Sequence, residues 1–167
     1  MNENLSHRSN ISIVEMSGTS DFWNYFTIVI QGRQWSWIIW VLIMKLFGRK
    51  ETDWFIVKDS GKIIGGFAIT DLPVAKYKPF NIFDTKARQK IDELSASGYR
   101  GFCCFIISSK YRNSGIGSYV FDAFFKKSNP MLKVYFTATK KAVPLYLRQG
   151  AKIAYPAKYT IYTYETD

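Results

Sequence analysis

One stretch of the sequence decides the fold: Ile106-Ile107-Ser108-Ser109-Lys110-Tyr111-Arg112-Asn113-Ser114-Gly115-Ile116-Gly117. It leaves an apolar segment, crosses a short basic loop with two glycines, and enters an amphipathic segment. The almost unbroken apolar run from Gly101 to Ile107 predicts a strand covered on both faces. Apolar side chains spaced three and four apart predict a helix after the loop, capped by Asn113 or Ser114; they are Ile116, Tyr119, Val120, Ala123 and Phe124.

The loop between this strand and this helix has the features of an anion-binding site. Gly115 and Gly117 let the backbone approach a ligand closely, and N–H groups at a helix N-terminus favour negative charge. Arg112 adds a fixed positive charge. The spacing matches neither a P-loop nor a dinucleotide-binding fingerprint, because no Gly-Lys-Ser/Thr follows and the glycines are too few.

The pattern Arg112-x-x-Gly115-x-Gly117 after a strand resembles the pyrophosphate loop of the GNAT superfamily of N-acetyltransferases, which bind acetyl-coenzyme A there. The resemblance implies that the strand backbone at Phe105, Ile106 and Ile107 holds the pantetheine arm, and that one of its N–H groups polarises the thioester carbonyl. It implies that the pyrophosphate contacts the loop, namely Lys110, Tyr111, Arg112, Asn113, Ser114, Gly115, Ile116 and Gly117. No metal is implied.

A second segment, residues 139–151, resembles the family's N-x-x-A-x-x-L-Y-x-x-x-G-F helix. The match rests on Ala142, Leu145, Tyr146 and Gly150. The resemblance places Tyr146 at the general-acid position, close to the coenzyme sulfur, and it adds Thr139 to the cofactor-binding residues. The alternative proton donors are water and another phenol, such as Tyr111. Thr139 replaces the usual Asn and Ala151 the usual Phe. Pro144 is compatible with the helix only in its first turn.

The order of predicted elements extends the resemblance over nearly the whole chain. We predict strands at 11–16, 53–58, 63–71, 101–107, 132–136, 153–155 and 159–164, with helices at 21–47, at 84–94, after Gly115 and after Thr139. Asp59-Ser60-Gly61-Lys62 is a strong hairpin turn. The fold class is therefore α/β (α+β): a GNAT fold with a mixed, mostly antiparallel sheet of about seven strands and about four helices. With no linker or repeat, residues 1–167 are expected to form one domain.

The segment from Phe22 to Phe47 is unusually aromatic, with Trp35, Trp37 and Trp40 within six positions. A polar break at 31–34 leaves neither half long enough for the roughly 20 apolar residues that span a bilayer. Three interpretations remain open: a buried core helix, a wall of the acceptor pocket, or a partner or membrane surface, including a homodimer face.

Charge and composition fit a folded enzyme of ordinary size. The 167 residues are 47% hydrophobic and carry a net charge of +10. Residues 101–167 hold ten Lys/Arg against three Asp/Glu, whereas the first 100 residues hold 13 against 10. The excess lies on the half with the predicted anion site, and it would attract coenzyme phosphates or nucleic acid alike. The adjacent Cys103 and Cys104 point to opposite faces of a strand, and no secretory signal begins the sequence, so we predict a cytoplasmic protein.

The general base is the least defined element of the chemistry. No acid occurs between Gly101 and Asp122, although some family members carry a carboxylate at the start of this strand. Asp71 and Asp84 are candidates that also fit turn or cap positions, His7 lies in a polar terminus, and an amine can lose its proton through water.

From the two motifs and the order of elements we predict an acetyl-CoA-dependent N-acetyltransferase acting on a small-molecule or peptide amine. The alternatives are a catalytically silent GNAT-like binding module and a GNAT-type toxin that acetylates aminoacyl-tRNA.

Overall fold

A computed structural model describes residues 10–32, 38, 41–42, 51–71 and 84–166. These residues contain seven strands: β1 (Ile11–Glu15), β2 (Thr52–Asp59), β3 (Lys62–Thr70), β4 (Arg100–Ile107), β5 (Val134–Thr137), β6 (Lys152–Tyr155) and β7 (Ile161–Tyr164). They form one sheet in the order β1-β2-β3-β4-β5-β7-β6. β1 and β2, β5 and β7, and β6 and β7 pair antiparallel, whereas β4 and β5 pair parallel. The predicted mixed, mostly antiparallel seven-stranded sheet is confirmed.

Four helices have both ends within the described residues: α1 (Thr19–Gln31), α2 (Thr85–Ala96), α3 (Ile116–Phe121) and α4 (Val143–Arg148). The chain packs as two compact units. The first contains the described residues up to Ala68 together with Cys104–Phe121, and the second contains Ile69–Cys103 together with the residues from Asp122 onward. That the chain acts as one domain stays a prediction.

In the first unit, helix α1 buries one face and leaves the other in solvent. Phe22, Tyr25, Phe26 and Val29 are buried, as their three- and four-residue spacing requires. Trp23 and Ile30, at the edge of that face, are 54% and 47% exposed. The buried face of this part of the predicted aromatic helix is therefore core. Trp35, Trp37 and Trp40 lie outside the described residues.

The β2–β3 hairpin forms where the turn sequence predicts it. Ser60 and Gly61 take positive φ angles of 50° and 83°, which is the backbone of a two-residue hairpin turn. The Ser60 N–H also donates to the Asn10 carbonyl at 3.1 Å. This places the end of β2, Asp59, at a defined position at the tip of the hairpin.

In the second unit, helix α2 packs a small apolar core against the sheet. Asp84 caps the helix by accepting a hydrogen bond from the Ala87 N–H at 2.7 Å. Ala87, Ile91 and Leu94 then cluster with Tyr135 of β5 and Ile161 of β7. The predicted surface helix at 84–94 is confirmed, and Asp84 has a capping role.

Helix α3 differs from its prediction at both ends. Gly115, rather than Asn113 or Ser114, precedes the helix, because the Gly115 carbonyl accepts the first helical hydrogen bond from Tyr119 N–H at 3.0 Å. After Phe121 the helix widens into π-helical turns over Asp122–Ser128. Within the described ranges, no helix is both long and apolar enough to cross a bilayer.

Candidate active site

The last residues of β4, predicted to hold the pantetheine arm, follow a bulge in the strand. Cys104 has φ of +59°, a left-handed conformation inside an otherwise extended segment. Such a residue marks a bulge, which turns the following peptide groups away from the regular ladder. Phe105, Ile106 and Ile107 come next and are half-buried. The distortion at Cys104 therefore comes one residue before the segment that is predicted to hold the pantetheine arm.

Two adjacent glycines of β3 leave no room for a side chain, and the first of them, Gly65, lies against β4. A Cβ on Gly65 would press on the Ile106 carbonyl oxygen and lie 2.7 Å from Ile107 Cδ1. A Cβ on Gly66 would lie 2.6 Å from the Phe55 carbonyl oxygen and 2.9 Å from a ring carbon of Tyr25. Both positions thus exclude any side chain, and the close approach of the β4 backbone depends on glycine at position 65.

The loop after β4 leads into α3 through an alternation of backbone conformations. Ser109–Tyr111 form a 3-10 turn, Arg112 is extended, and Asn113 and Gly115 are left-handed at φ of 63° and 81°. The Ser114 hydroxyl donates to the Tyr111 carbonyl at 2.6 Å, so it closes the loop instead of capping the helix. Because Tyr119 is the donor of the first helical bond, the N–H groups of Ile116, Gly117 and Ser118 precede the intrahelical ladder.

The charged and aromatic side chains of the loop face different neighbours. Arg112 is exposed, and its Nη2 lies 3.8 Å from the position of a Cβ on Gly32, at the C-terminal end of α1. Lys110 is also exposed. Tyr111 hydrogen-bonds to Asp59 of the hairpin, and burial, reinforced by the Asp59 charge and this bond, raises the pKa of Tyr111. Its phenol is therefore engaged with a carboxylate, which weakens the alternative that Tyr111 delivers the catalytic proton.

In the second unit, the helix that carries Tyr146 begins and ends as its sequence predicts. Pro144 lies within the first two helical positions, where it costs no hydrogen bond. Gly150 has φ of +97° just after the helix. The Ala151 N–H donates to the Tyr146 carbonyl and the Gly150 N–H to the Leu147 carbonyl, at 3.0 and 3.1 Å. This pair of bonds is a Schellman motif and fixes the end of α4.

Tyr146 lies in an aromatic cluster and is only 6% exposed. Its ring is 4.5 Å from that of Phe136 and 6.3 Å from that of Phe102, measured between centroids. Burial raises the pKa of the Tyr146 phenol above its ordinary value of 10.0. The hydroxyl consequently keeps its proton throughout the neutral range and can act as a hydrogen-bond donor.

Thr139 lies in the loop before α4 and is exposed. Its carbonyl accepts hydrogen bonds from the N–H groups of Ala142 and Val143 at 2.8 and 3.2 Å. The residue therefore closes the turn into the helix through its backbone, and its exposed side chain faces solvent. Its predicted contact with the cofactor stays a prediction.

The candidate general bases have other roles in the structure. Asp71 forms a two-pronged ion pair with Arg100, whose Nε and Nη2 lie 2.6 and 3.0 Å from its carboxylate oxygens. Asp84 caps α2. At Gly101, a Cβ would lie 3.0 Å from Thr70 Cγ2 and 3.4 Å from the Tyr135 hydroxyl, so a longer acidic side chain would be crowded there. His7 lies outside the described residues.

Three residues around β4 in the first unit are absent from the sequence-based predictions: Tyr25, Gly65 and Gly66. Two glycines in the middle of a predicted strand are a usable signal, since glycine there often marks a bulge or a close backbone approach. Tyr25 carries no comparable signal, because the sequence pattern of a buried tyrosine in an aromatic helix does not depend on whether its hydroxyl makes a hydrogen bond to a distant strand.

Comparison with known proteins identifies this architecture. No protein-family model matches the sequence, and no curated protein sequence matches it. Solved structures do match. A GNAT-family acetyltransferase from Staphylococcus aureus aligns with a TM-score of 0.58 at 11% identity, over 94% of this chain and 99% of that one. The PaiA N-acetyltransferase from Thermoplasma acidophilum, solved with coenzyme A, gives 0.58 at 10% identity over the same shares.

The N-acetyltransferase PseH from Campylobacter jejuni, solved with acetyl coenzyme A, aligns with a TM-score of 0.54 at 14% identity, again over 94% and 99% of the two chains. The chain therefore has the fold of the GNAT acetyltransferases. The fold predicted from the two sequence motifs is confirmed over almost its whole length.

Proposed function

We propose that this protein is an acetyl-CoA-dependent N-acetyltransferase. The observation that carries the proposal is the GNAT fold with a bulged β4 running into the loop Arg112–Gly117. Two of the structurally similar proteins were solved with coenzyme A or acetyl coenzyme A. A positive excess in residues 101–167, ten bases against three acids, favours a ligand with several phosphates.

The loop would bind the pyrophosphate mainly through its backbone. The N–H groups of Ile116 and Gly117 have no intrahelical acceptor, and the α3 dipole adds partial positive charge at the same end. The left-handed residues Asn113 and Gly115 turn the chain so that consecutive N–H groups can converge on one anion. Lys110 and Arg112 are exposed and would add charge at the rim.

The chemistry would need few side chains. The acceptor amine attacks the thioester carbonyl carbon and its lone pair forms the new C–N bond. The C–S bond breaks, its electron pair leaves on sulfur as the coenzyme A thiolate, and the proton of the amine goes to water. An N–H of the Phe105–Ile107 segment would polarise the thioester carbonyl. Tyr146, held in its neutral form by burial, would donate a hydrogen bond or proton to the departing thiolate. With Asp71 bound to Arg100, we propose that the amine loses its proton to water.

The first test is binding of acetyl-CoA, measured by calorimetry and by the shift in melting temperature. Gly115→Val should weaken binding at least tenfold, because a branched side chain is strained at φ of 81° and would distort the loop. Gly98→Val is the matched control: Gly98 has φ of 83° and open space around it, so it carries a similar backbone penalty away from the loop. If both variants bind acetyl-CoA as tightly as the parent, the loop is only a turn and does not bind the pyrophosphate.

The second test identifies the acceptor and separates enzyme from binding module. Free-CoA release should be measured with amino acids, polyamines, aminoglycosides, peptides and charged tRNA. Release with a small amine or peptide supports the proposed class. Stabilisation by RNA, with none by acetyl-CoA, would point instead to a nucleic-acid-binding module.

A further inference from the structure

The bulge in β4 places a residue with a side chain in a conformation that it does not favour. Cys104 has φ of +59° and is fully buried. Left-handed backbone is easy for glycine but costly for other residues, and it persists only where the surroundings impose it. Something in the first unit must therefore hold Cys104 in this conformation.

Tyr25 of α1 supplies such a contact. Its hydroxyl donates a hydrogen bond to the Cys104 carbonyl, and its side chain is fully buried. The ring packs beside Trp54 of β2, with centroids 6.1 Å apart. A phenol fixed by packing offers its O–H at one point only, so it favours the peptide orientation that aims the Cys104 carbonyl at it.

The glycine pair of β3 makes this contact possible. Gly66 leaves the space in which the Tyr25 ring lies, since a Cβ there would be 2.9 and 3.0 Å from two ring carbons. Gly65 leaves room for the backbone of Ile106 and Ile107 just beyond the bulge. The absence of a side chain at Gly66 thus makes room for the Tyr25 ring, and its absence at Gly65 makes room for the β4 backbone.

We propose that Tyr25, with Gly65 and Gly66, is a positioning element that sets the orientation of the Phe105–Ile107 peptide groups for acetyl-CoA. Tyr25 does not touch the cofactor; it acts through the Cys104 carbonyl. The inference rests on the proposed function, because the segment it orients is the one proposed to bind the pantetheine arm. Its structural half, that Tyr25 holds the bulge, can be tested without any ligand.

The test begins with Tyr25→Phe, which removes the hydroxyl and keeps the ring. Hydrogen exchange of the Phe105–Ile107 amides in the unliganded protein should accelerate roughly tenfold, the effect of losing one buried hydrogen bond. The Kd for acetyl-CoA should rise about tenfold, and kcat should fall as well, because the same segment is proposed to supply the N–H that polarises the thioester carbonyl. Tyr164→Phe, another buried tyrosine, is the control and should leave all three quantities unchanged.

A rescue experiment separates positioning from general stability. In the Tyr25→Phe background, Cys104→Gly should restore slow exchange and acetyl-CoA affinity, because glycine adopts the left-handed conformation without help. Cys104→Ala removes the same thiol but keeps the Cβ and should not rescue. The proposal would be overturned if Cys104→Ala restored slow exchange and affinity as well as Cys104→Gly does. It would also be overturned if exchange in Tyr25→Phe were unchanged, even with a lower melting temperature for Tyr25→Phe.

The two levels fail separately. If the parent protein binds no acetyl-CoA, the proposed function is wrong, whereas the exchange measurements still decide whether Tyr25 holds the bulge. If the parent binds acetyl-CoA and Tyr25→Phe speeds exchange without weakening binding, the bulge does not position the cofactor and the inference is wrong while the function stands.

Discussion

Removing the Tyr146 hydroxyl should slow acetyl transfer without weakening acetyl-CoA binding. Tyr146→Phe keeps the ring and its contacts with Phe136 and Phe102, at 4.5 and 6.3 Å. General-acid catalysis is typically worth about 10²–10⁴-fold, so kcat should fall by that factor, equivalent to about 2.7–5.4 kcal/mol of barrier. Truncation to alanine is a poor test, because emptying this buried site would cost about 3–5 kcal/mol of stability.

The same variant should be nearly as stable as the parent. Loss of one hydroxyl is worth about 0.5–1.5 kcal/mol of unfolding free energy, a shift of a few degrees in melting temperature. The matched control is Tyr162→Phe, which removes a hydroxyl from a buried tyrosine whose ring stacks 5.8 Å from Phe136. The assay is steady-state CoA release with saturating acetyl-CoA, beside calorimetric Kd values for all three proteins.

Three results have different meanings. A lower kcat with unchanged Kd in Tyr146→Phe alone supports the acid role. An unchanged kcat would refute it and leave proton delivery to water or another phenol. Equal losses in Tyr146→Phe and Tyr162→Phe would show that the aromatic cluster, not the hydroxyl at position 146, limits the rate.

Three further predictions address the loop, the glycine contact and pH. Gly115→Val should weaken acetyl-CoA binding at least tenfold by calorimetry, because valine is strained at the positive φ of this loop position, whereas Gly98→Val should only lower the melting temperature. Gly117→Val should weaken binding too, because a side chain there would crowd the close approach of the ligand to the backbone. Gly65→Ala should cost about 1–3 kcal/mol in urea unfolding, because its Cβ would meet the β4 backbone; an unchanged midpoint would contradict the packing described. Burial raises the pKa of Tyr146 above its ordinary value of 10.0, so the unfolded chain releases this proton at a lower pH than the folded protein does. The unfolding free energy of the parent should therefore fall as the pH rises above 10. Tyr146→Phe should lose less stability than the parent between pH 10 and 11, measured by urea unfolding.

Local patterns in the sequence were enough for most of the fold. The apolar run before Ser108 became β4, the turn at Ser60-Gly61 became the hairpin, and Gly150 ended the Tyr146 helix. Each of these depends on periodicity or on backbone freedom over a few neighbouring residues. Such features can be predicted from the segment alone, because they depend on no residue elsewhere in the chain.

The details that shape the candidate site depend on residues far apart in the chain. Tyr25 and Cys104 are 79 positions apart, and Asp71 and Arg100 are 29 apart. An apolar run does not reveal which of its residues is left-handed, and a carboxylate at a strand end does not reveal an arginine across the sheet. The sequence therefore predicted the position of the loop and missed the contacts that hold the strand before it.

The bond between Tyr111 and Asp59 has a practical consequence for engineering the protein. Exposed hairpin turns such as Ser60-Gly61 are the usual places to insert an affinity tag or a fluorescent reporter. Here the flanking carboxylate anchors a residue of the loop proposed to bind the coenzyme. An insertion at this turn would therefore alter the position of that loop and the binding of acetyl-CoA. The turn is a poor place for a tag that must not affect function, and a useful place for a reporter of coenzyme binding.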